Sequence, residues 1–580
     1  MAAPVTVLKF GSSVLSDRGR LPSVVHHIYR AVRRGQHVVV VVSAIGRQTD
    51  LLLNEARHIA EPVTCDRALA TLLGTGELQS AALLCMAVKR AGIACTLLDP
   101  ESLRLTLKGE RLDADPYALN RHAFDAAFRQ GPVAIVPGFV GQYEHGGPGL
   151  MGRGGSDLTA VFITEQLNAD ACYLVKDVDG IYEYDPAGVT LERAPRRFAD
   201  VTYEDALRVA DVLIQPKAVE YLQVTGRRAE VVSLLHDRGT VVGATRSQLA
   251  PRVPDAPLCV AMIGLGALGE AVYRHLEALP MHFELVGIGV RDIESPRCPS
   301  SVPLYADVDE LIEQPFDVLV DVSGDTDRAY GWIEQCLQLG RAVVTADKRL
   351  VARYGALIAD TAARHAAMFR YSAVVGGAVP MLELIEQLRA HGPVDRLRGV
   401  LKGVGNDVLQ RMAEGATLEE AVVAVTAPEG AAAEPCRDRL GEDSVDQLRI
   451  LARAAWGAEI GGAPIVCEDI DSITPEQLMH ARKKHRRVRL VASMDIHGRG
   501  VVQPEWLLPD DPLAHATGNA LEIRGRHGTH IVSGPGSGRW PAAEAVVADL
   551  VDVHRQRAAY ADKPALGPSR VERPATREIG

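Results

Sequence analysis

The sequence predicts an α/β protein with more than one hydrophobic core. Short β-branched runs alternate with amphipathic stretches through the first 245 residues. A proline-rich stretch follows, and beyond it a strand, a glycine turn and a helix restart the pattern. At 580 residues the chain exceeds what one core can organise, and roughly three to four domains are expected.

The elements follow in order. "HVVVVVSA" (37–44), "PVAIVPGF" (132–139), "ACYLVKD" (171–177) and "RAEVVSLL" (228–235) read as buried strands. Amphipathic stretches lie between them, which favours a parallel sheet covered by helices. "GATRSQLAPRVPDAPL" then places Pro251, Pro254 and Pro257 close together, marking a linker over 246–257. "CVAMIGLGALGEAVYRHLEAL" reads as strand, turn and helix, and "FELVGIGV" (283–290), "FDVLVDVS" (316–323) and "RAVVTAD" (341–347) continue as strands. The predicted plan is a first domain over 1–245, the linker, a second domain over 258–370 and a mixed α+β domain over 371–530. A glycine turn and helix, "GPGSGRWPAAEAVVADLVDVHRQR", fall in a return to the second domain over 531–560, and a polar tail over 561–580 is expected to be disordered.

Composition narrows the function. Hydrophobic content of 47% and charged content of 24% are ordinary for a soluble globular protein. A formal charge of -11 argues against a nucleic-acid partner, because neutralising phosphates needs a basic surface. The basic run "ARKKHRRVRL" (481–490) reads as a solvated helix face entering a strand. Nine dispersed cysteines without a CxxC pair suit a reducing cytosol, and no metal-ligand spacing occurs. No signal-type N-terminus and no uninterrupted apolar segment of about 18 residues is found, so a cytoplasmic protein without a membrane partner is expected.

Four pieces of the first half carry chemistry. In "VLKFGSSVLSD", a strand ends in Lys9 and turns through Gly11, Ser12 and Ser13. Small residues let backbone N–H groups approach a phosphate, and the lysine neutralises transferred charge. "VVSAIGRQTDLLL" carries Thr49, and "LLGTGELQSAAL" places Glu77 at an expected helix start. "GRGGSDLTAVFI" brings Arg153 and Asp157, and "KDVDGIYEYDP" brings Lys176 and Asp177. The Walker pattern GxxxxGK[ST] is absent, which disfavours a P-loop enzyme.

In this order the pieces resemble the amino-acid kinase family, specifically aspartate kinase, over about residues 4–235. The resemblance implies an amino-acid-kinase-like α/β sandwich, ATP with Mg2+, and phosphoryl transfer to the aspartate side chain. It makes Lys9 and Asp157 catalytic, sets Thr49, Glu77 and Arg153 around the amino acid, and gives Gly11, Ser12, Lys176 and Asp177 to the nucleotide; Lys217, near the position of a family lysine, is a further ATP-binding candidate. Two departures stand out. "KFGSSV" replaces the usual KFGGTS, and Val212 occupies a position where many aspartate kinases carry an ATP-contacting lysine.

In the second half, "MIGLGALG" sets Gly264, Gly266 and Gly269 in GxGxxG register between a strand and a helix, the context of a Rossmann-type dinucleotide turn. Arg291, ending the next strand, favours a ribose 2′-phosphate and hence NADP(H), while the adjacent Asp292 opposes it. Ser323, closing "FDVLVDVS", is a further cofactor-binding candidate.

With "TADKRLVARYG", "YSAVVGGAVPMLELI", "LKGVGNDVL" and "EPCRDRLGEDSVDQLRIL", the half resembles homoserine dehydrogenase from about 258 to 555. The whole chain therefore resembles the bifunctional aspartate kinase–homoserine dehydrogenase family, without the ACT regulatory segment that usually separates the halves. The resemblance implies a Rossmann-type domain with an inserted α+β substrate and dimerisation domain, a homo-oligomer (dimer or tetramer), and NADPH-dependent reduction of aspartate semialdehyde to homoserine. Lys348 and Asp443 would be catalytic, and Glu434 and Asp438 would bind substrate. Here too the chain departs from the family. Gln447 stands where the family has a catalytic lysine, Ala432 replaces its glutamate, and Lys402 replaces an asparagine. An active dehydrogenase, an impaired one, and a pair acting on related amino acids or aldehydes all remain open on these residues.

Overall fold

The computed structural model describes residues 3–59, 65–184, 195–209, 213–234, 239–244, 246–250, 257–280, 282–293, 302–401, 404–426, 441–468, 470, 473–516, 518–526, 528–534 and 538–561. Among these, the first half is organised by a nine-stranded sheet. Its order is Gln248–Leu249, Phe198–Val201, Thr240–Val242, Ala229–Ser233, Ala171–Lys176, Val5–Phe10, His37–Val42, Val133–Pro137 and Cys95–Leu97. Val5–Phe10 lies between His37–Val42 and Ala171–Lys176, parallel to both. Val38 to Val42 are fully buried, as an unbroken valine run requires when helices cover both faces.

Side chains alternate along the central strand. Val7 joins a core with Val39, Val41 and Leu174 beneath the helix Gly155–Leu167. Leu8 and Phe10 join the opposite core, under the helices Leu21–Arg33 and Asp66–Arg90. Lys9 therefore shares a face with Val7 and meets the first turn of Gly155–Leu167. Glu77 lies in the middle of the 25-residue helix Asp66–Arg90, not at a helix start. The helix begins eleven residues earlier and runs through Gly74 and Gly76, which pack where side chains would crowd: a Cβ would meet Val140 at 3.0 Å and Ala44 at 3.1 Å. By length and composition this helix could cross a membrane, but Glu77 interrupts its apolar run and half of its most apolar stretch is buried inside the fold, as in the core helix of a globular domain.

The second half holds two sheets. Six parallel strands run in the order Leu304–Tyr305, Phe283–Gly289, Leu258–Ile263, Val318–Asp321, Ala342–Thr345 and Phe369–Arg370. The strand order reverses at Leu258–Ile263, which opens a crevice at its carboxyl end. The second sheet runs Ile465–Cys467, Gly500–Leu507, Arg487–Asp495, Val394–Val400, Asn519–Gly525 and Gly528–Gly534. The basic run 481–490 leaves the helix Pro475–Lys483 and enters the strand Arg487–Asp495, as its pattern predicts. One apolar core continues from the parallel sheet into the second sheet.

The halves meet across a polar seam. The helix Arg539–Ala561 packs on Ala267–Glu277 and also touches the first-half helix Leu21–Arg33. Arg33 reaches Glu383 at 2.7 Å, Asp549 at 2.6 Å and Asp552 at 3.4 Å, and its Nη2 donates to Ser372 Oγ at 2.8 Å. Burial opposes its charge, but these carboxylates outweigh the burial and hold the guanidinium firmly protonated. Nearby, His26 Nδ1 lies 2.8 Å from Glu544 Oε2, and His275 Nε2 lies 3.6 Å from Glu544 Oε1. Burial raises Glu544 and lowers His26, and it takes His275 to about 4. Burial therefore disfavours the charged form of all three groups.

Their pH dependences oppose one another. A depressed histidine contributes stability above its unfolded value of about 6.5 that is lost as pH falls toward 4. A raised carboxyl contributes stability at low pH that is lost as pH rises through its folded value. Glu544→Gln removes the second effect. His275 alone removes about 3 kcal/mol from either protein between pH 6.5 and 4, and the variant should show the steeper net fall because it lacks the opposing contribution of Glu544. Urea midpoints of both proteins across that range test this, and parallel curves would refute it.

Candidate active sites

In the first half, parallel pairing sets the geometry. Lys9 is in register with Leu174, so Lys176, the last residue of its strand, sits one step past the end of Val5–Phe10. Both lysines converge on Asp157 in the first turn of Gly155–Leu167. Lys9 Nζ lies 2.7 Å from Asp157 Oδ1, and Lys176 Nζ lies 3.0 Å from Asp157 Oδ2. All three residues are buried. Burial pulls Lys9 down to about 8, assisted by the like charge of Lys176 and opposed by Asp157. Burial raises Asp157, but the two ammonium groups outweigh it and hold the carboxyl at about 2.

The approach to this trio depends on glycine. Gly154 has φ +72°, and a Cβ there would fall 1.5 Å from Gln215 Cγ. Any side chain would close the junction that brings the first turn of the helix, and with it Asp157, to the lysines.

Lys9, Lys176 and Asp157 line a cavity of about 1030 Å³ together with Gly11, Ser12, Thr49, Glu77, Arg153 and Asp177. Glu77 Oε1 accepts a hydrogen bond from Ala44 N at 3.3 Å, while its Oε2 is buried with no hydrogen-bond partner. Burial raises this carboxyl to about 7, against the pull of the Ala44 N–H and the charge of Lys9. A buried carboxylate oxygen facing a cavity is a receptor for an ammonium group. Arg153 and Asp177 are exposed at the rim. Lys217 is placed elsewhere: it pairs with Asp113 at 2.8 Å and Asp115 at 3.4 Å, and the cavity wall nearby is Gln215. Val212 lies outside the described residues. Sequence reading missed Ser80, whose hydroxyl accepts from Ile45 N at 3.0 Å and braces the same loop.

In the second half, the three glycines of the turn do different things. Gly264 has φ +99°, and a Cβ would lie 2.6 Å from Val322 O. At Gly269 a Cβ would lie 2.2 Å from Gly264 O, so helix and turn can pack closely only without one. A Cβ on Gly266 would meet nothing within 4 Å, which leaves its backbone open to a pyrophosphate. The turn thus fits a dinucleotide. Arg291 is exposed after the neighbouring strand. Ser323 donates to Asp321 Oδ1 at 2.8 Å, and Thr345 donates to Asp321 Oδ2 at 2.8 Å. Asp347 accepts from Thr326 Oγ1 at 2.7 Å and caps the helix Lys348–Arg364 through Leu350 N at 3.0 Å. Asp321 and Thr345 were not legible as site residues, since buried polar groups inside apolar strands carry no sequence pattern.

Lys348 forms an ion pair with Asp443. Gln447 Nε2 donates to Asp443 Oδ2 at 2.8 Å, so Asp443 and Gln447 share a helical face at i and i+4 as their spacing predicts. Arg453, further along the same helix, donates to Val351 O at 2.7 Å and Ala352 O at 3.1 Å. Those bonds lock the Glu442–Trp456 helix against Lys348–Arg364 and bring Asp443 to Lys348. Glu434, Asp438, Ala432 and Lys402 lie outside the described residues.

The two sites define a phosphotransferase joined to a dinucleotide-dependent oxidoreductase. Residues 4–233 match the model of the amino acid kinase family, residues 264–372 that of the homoserine dehydrogenase NAD binding domain, and residues 380–551 that of homoserine dehydrogenase. The chain thus carries, in that order, an amino acid kinase domain and the two domains of a homoserine dehydrogenase in one polypeptide. The homoserine dehydrogenase of Synechocystis is 28% identical over 329 residues, covering 53% of this chain and 76% of that protein. The aspartokinase of Geobacillus stearothermophilus is 32% identical over 242 residues, covering 41% of this chain and 58% of that protein. The chain therefore spans little more than half the length of that aspartokinase. A solved homoserine dehydrogenase from Thiobacillus denitrificans is 26% identical, with a TM-score of 0.49, covering 54% of this chain and 77% of that one.

Proposed function

We propose that the first half transfers the γ-phosphoryl group of ATP to the side-chain carboxylate of L-aspartate, and that the second half reduces aspartate semialdehyde to homoserine with NADPH. The observation that carries the kinase reading is the buried Lys9–Asp157–Lys176 trio beside the unpartnered Glu77 Oε2. A carboxylate nucleophile needs no strong base, so catalysis rests on positioning and charge. Lys9 and Lys176 supply positive charge to the phosphoryl group in a water-poor site. Asp157 holds both ammonium groups in place until the nucleotide arrives. Glu77 receives the substrate's α-amino group, and Arg153 offers a planar fork to a substrate carboxylate. Mg2+ enters with the nucleotide phosphates; no cluster of three metal-ligating side chains exists among the described residues.

In the dehydrogenase, Lys348 is the cation placed to protonate or polarise the carbonyl oxygen, with Asp443 orienting it. Gln447 orients Asp443 but cannot deliver a proton as an ammonium can. The nicotinamide cofactor supplies hydride when bound. NADP(H) is favoured by Arg291, and the protein works in the cytoplasm as a homo-oligomer.

Two assays test the whole reading: ATP-dependent aspartyl hydroxamate formation, and NADPH oxidation with aspartate semialdehyde. Both are expected to be positive. Hydroxamate without NADPH oxidation would mean that the second half has lost its reaction. Gln447→Lys is expected to raise the dehydrogenase rate by about tenfold or more, because proton-transfer assistance contributes about 10²–10⁴. An unchanged rate would show that Lys348 alone already meets the need.

A further inference from the structure

The helix Asp66–Arg90 presents two buried polar residues three positions apart, Glu77 and Ser80, which therefore share a face. Both grip the loop that follows the strand His37–Val42. Ala44 N donates to Glu77 Oε1 at 3.3 Å, and Ile45 N donates to Ser80 Oγ at 3.0 Å. The serine has one hydroxyl proton, which goes to Gly76 O at 3.0 Å, so its oxygen is left to accept from the loop. Alanine would serve the helix better at this position, because a serine that bonds back to its own turn gains the helix nothing. What the hydroxyl adds lies outside the helix.

The loop is held from its other side as well. Ser43 N donates to Phe10 O at 3.1 Å, and Gly46 N donates to Leu15 O at 2.7 Å. Gly46 has φ +57°, and a Cβ there would lie 2.6 Å from Ser16 O. The turn so engaged is the one that carries Gly11 and Ser12, and Leu15 N itself donates to Gly11 O at 2.9 Å. One short loop thus runs from the phosphate-side turn to the amino-acid carboxylate. Ser43, Ala44 and Gly46 line the cavity, whereas Ser80 stands buried behind its wall.

We propose that Ser80 is a positioning residue of the kinase half, fixing the Ser43–Gly46 loop so that Ala44 N–H stays on Glu77 Oε1 and Oε2 alone is left for the substrate's ammonium group. The inference rests on the reading of Glu77 as the amino-acid receptor. Without the hydroxyl, Ile45 N loses its acceptor and the loop relaxes toward water. Glu77 then loses the Ala44 N–H that favours its charged form. The other charges around Glu77 stay in place. Lys9 faces it from the central strand, Asp157 and Lys176 stand beside Lys9, and Arg47 and Asp50 lie solvated at the rim.

The test is calorimetric titration of the full-length parent and Ser80→Ala with L-aspartate at pH 7, in buffers of different ionisation enthalpy. Glu77, raised to about 7, must ionise to receive the ammonium group, so the parent should release about half a proton on binding. Ser80→Ala should release about 0.8 proton or more, because a carboxyl short of one donor is more fully protonated before binding. Its affinity should fall about fivefold, the worth of one net hydrogen bond. Alanine is the strongest helix former, so the helix itself is retained. Weaker binding with an unchanged proton count would assign Ser80 a purely structural role and overturn the proposal, as would two identical titrations. A parent that binds no aspartate would instead refute the reading of Glu77 on which the proposal rests.

Discussion

Lys9→Ala is expected to lower kcat/KM for aspartyl hydroxamate formation by roughly 10²–10³-fold, the scale on which a preorganised charge at a developing anion contributes. NADPH oxidation by the same protein should be unchanged, because Lys9 lies in the other half. The parent's pH profile gives an independent reading of the same residues. Glu77, raised to about 7, must be ionised to receive an ammonium group, so kcat/KM climbs as pH passes 7. Lys9, lowered to about 8, must stay protonated to neutralise phosphoryl charge, so kcat/KM declines above 8. The expected curve is a narrow bell centred between those values. A profile flat from pH 6 to 9 would contradict both assignments. In Lys9→Ala the residual activity should keep the acid limb and lose the alkaline one.

Arg33→Met should destabilise the protein by about 3–5 kcal/mol, the usual cost of stripping one partner from a buried ion cluster. The methionine fills the aliphatic space but leaves Glu383 and Asp549 buried without their cation. Urea unfolding would show a lower midpoint. Hydrogen exchange would locate the loss, with faster exchange in both Leu21–Arg33 and Arg539–Ala561. Arg33→Lys should recover only part of the stability, because one ammonium cannot span Glu383, Asp549 and Ser372 together. An unchanged midpoint for Arg33→Met would show that the cluster contributes no net stability.

What could be read in the sequence was what is local. The strand carrying Lys9, the turn before Asp157 and the three glycines 264, 266 and 269 are each contiguous, and each imposes its geometry within a few residues. Asp443 and Gln447 were legible for the same reason, since helical spacing alone puts them on one face. Lys217 pairs with Asp113 and Asp115, about a hundred residues away, a capture that no local pattern announces. Glu77 lies inside a helix rather than at its start, because the fold uses Gly74 and Gly76 as contact surfaces and not as a break. The seam was illegible altogether. Arg33, His26 and Glu544 occupy helix positions that look like an ordinary polar stripe, and their partners are more than three hundred residues distant in sequence.

That separation has a consequence for how the chain is made. Arg33 leaves the ribosome more than five hundred residues before Asp549 does. At about 5–20 residues per second, the first-half helix waits roughly half a minute to two minutes for its counter-surface. Throughout that interval a face built to be covered, with a cationic cluster and two histidines on one helix, stands open on a nascent domain. The two enzymes are thus not interchangeable beads on a string. A kinase half synthesised alone would carry that face permanently, and dividing the gene would produce a first product whose surface is complete only when the second is present.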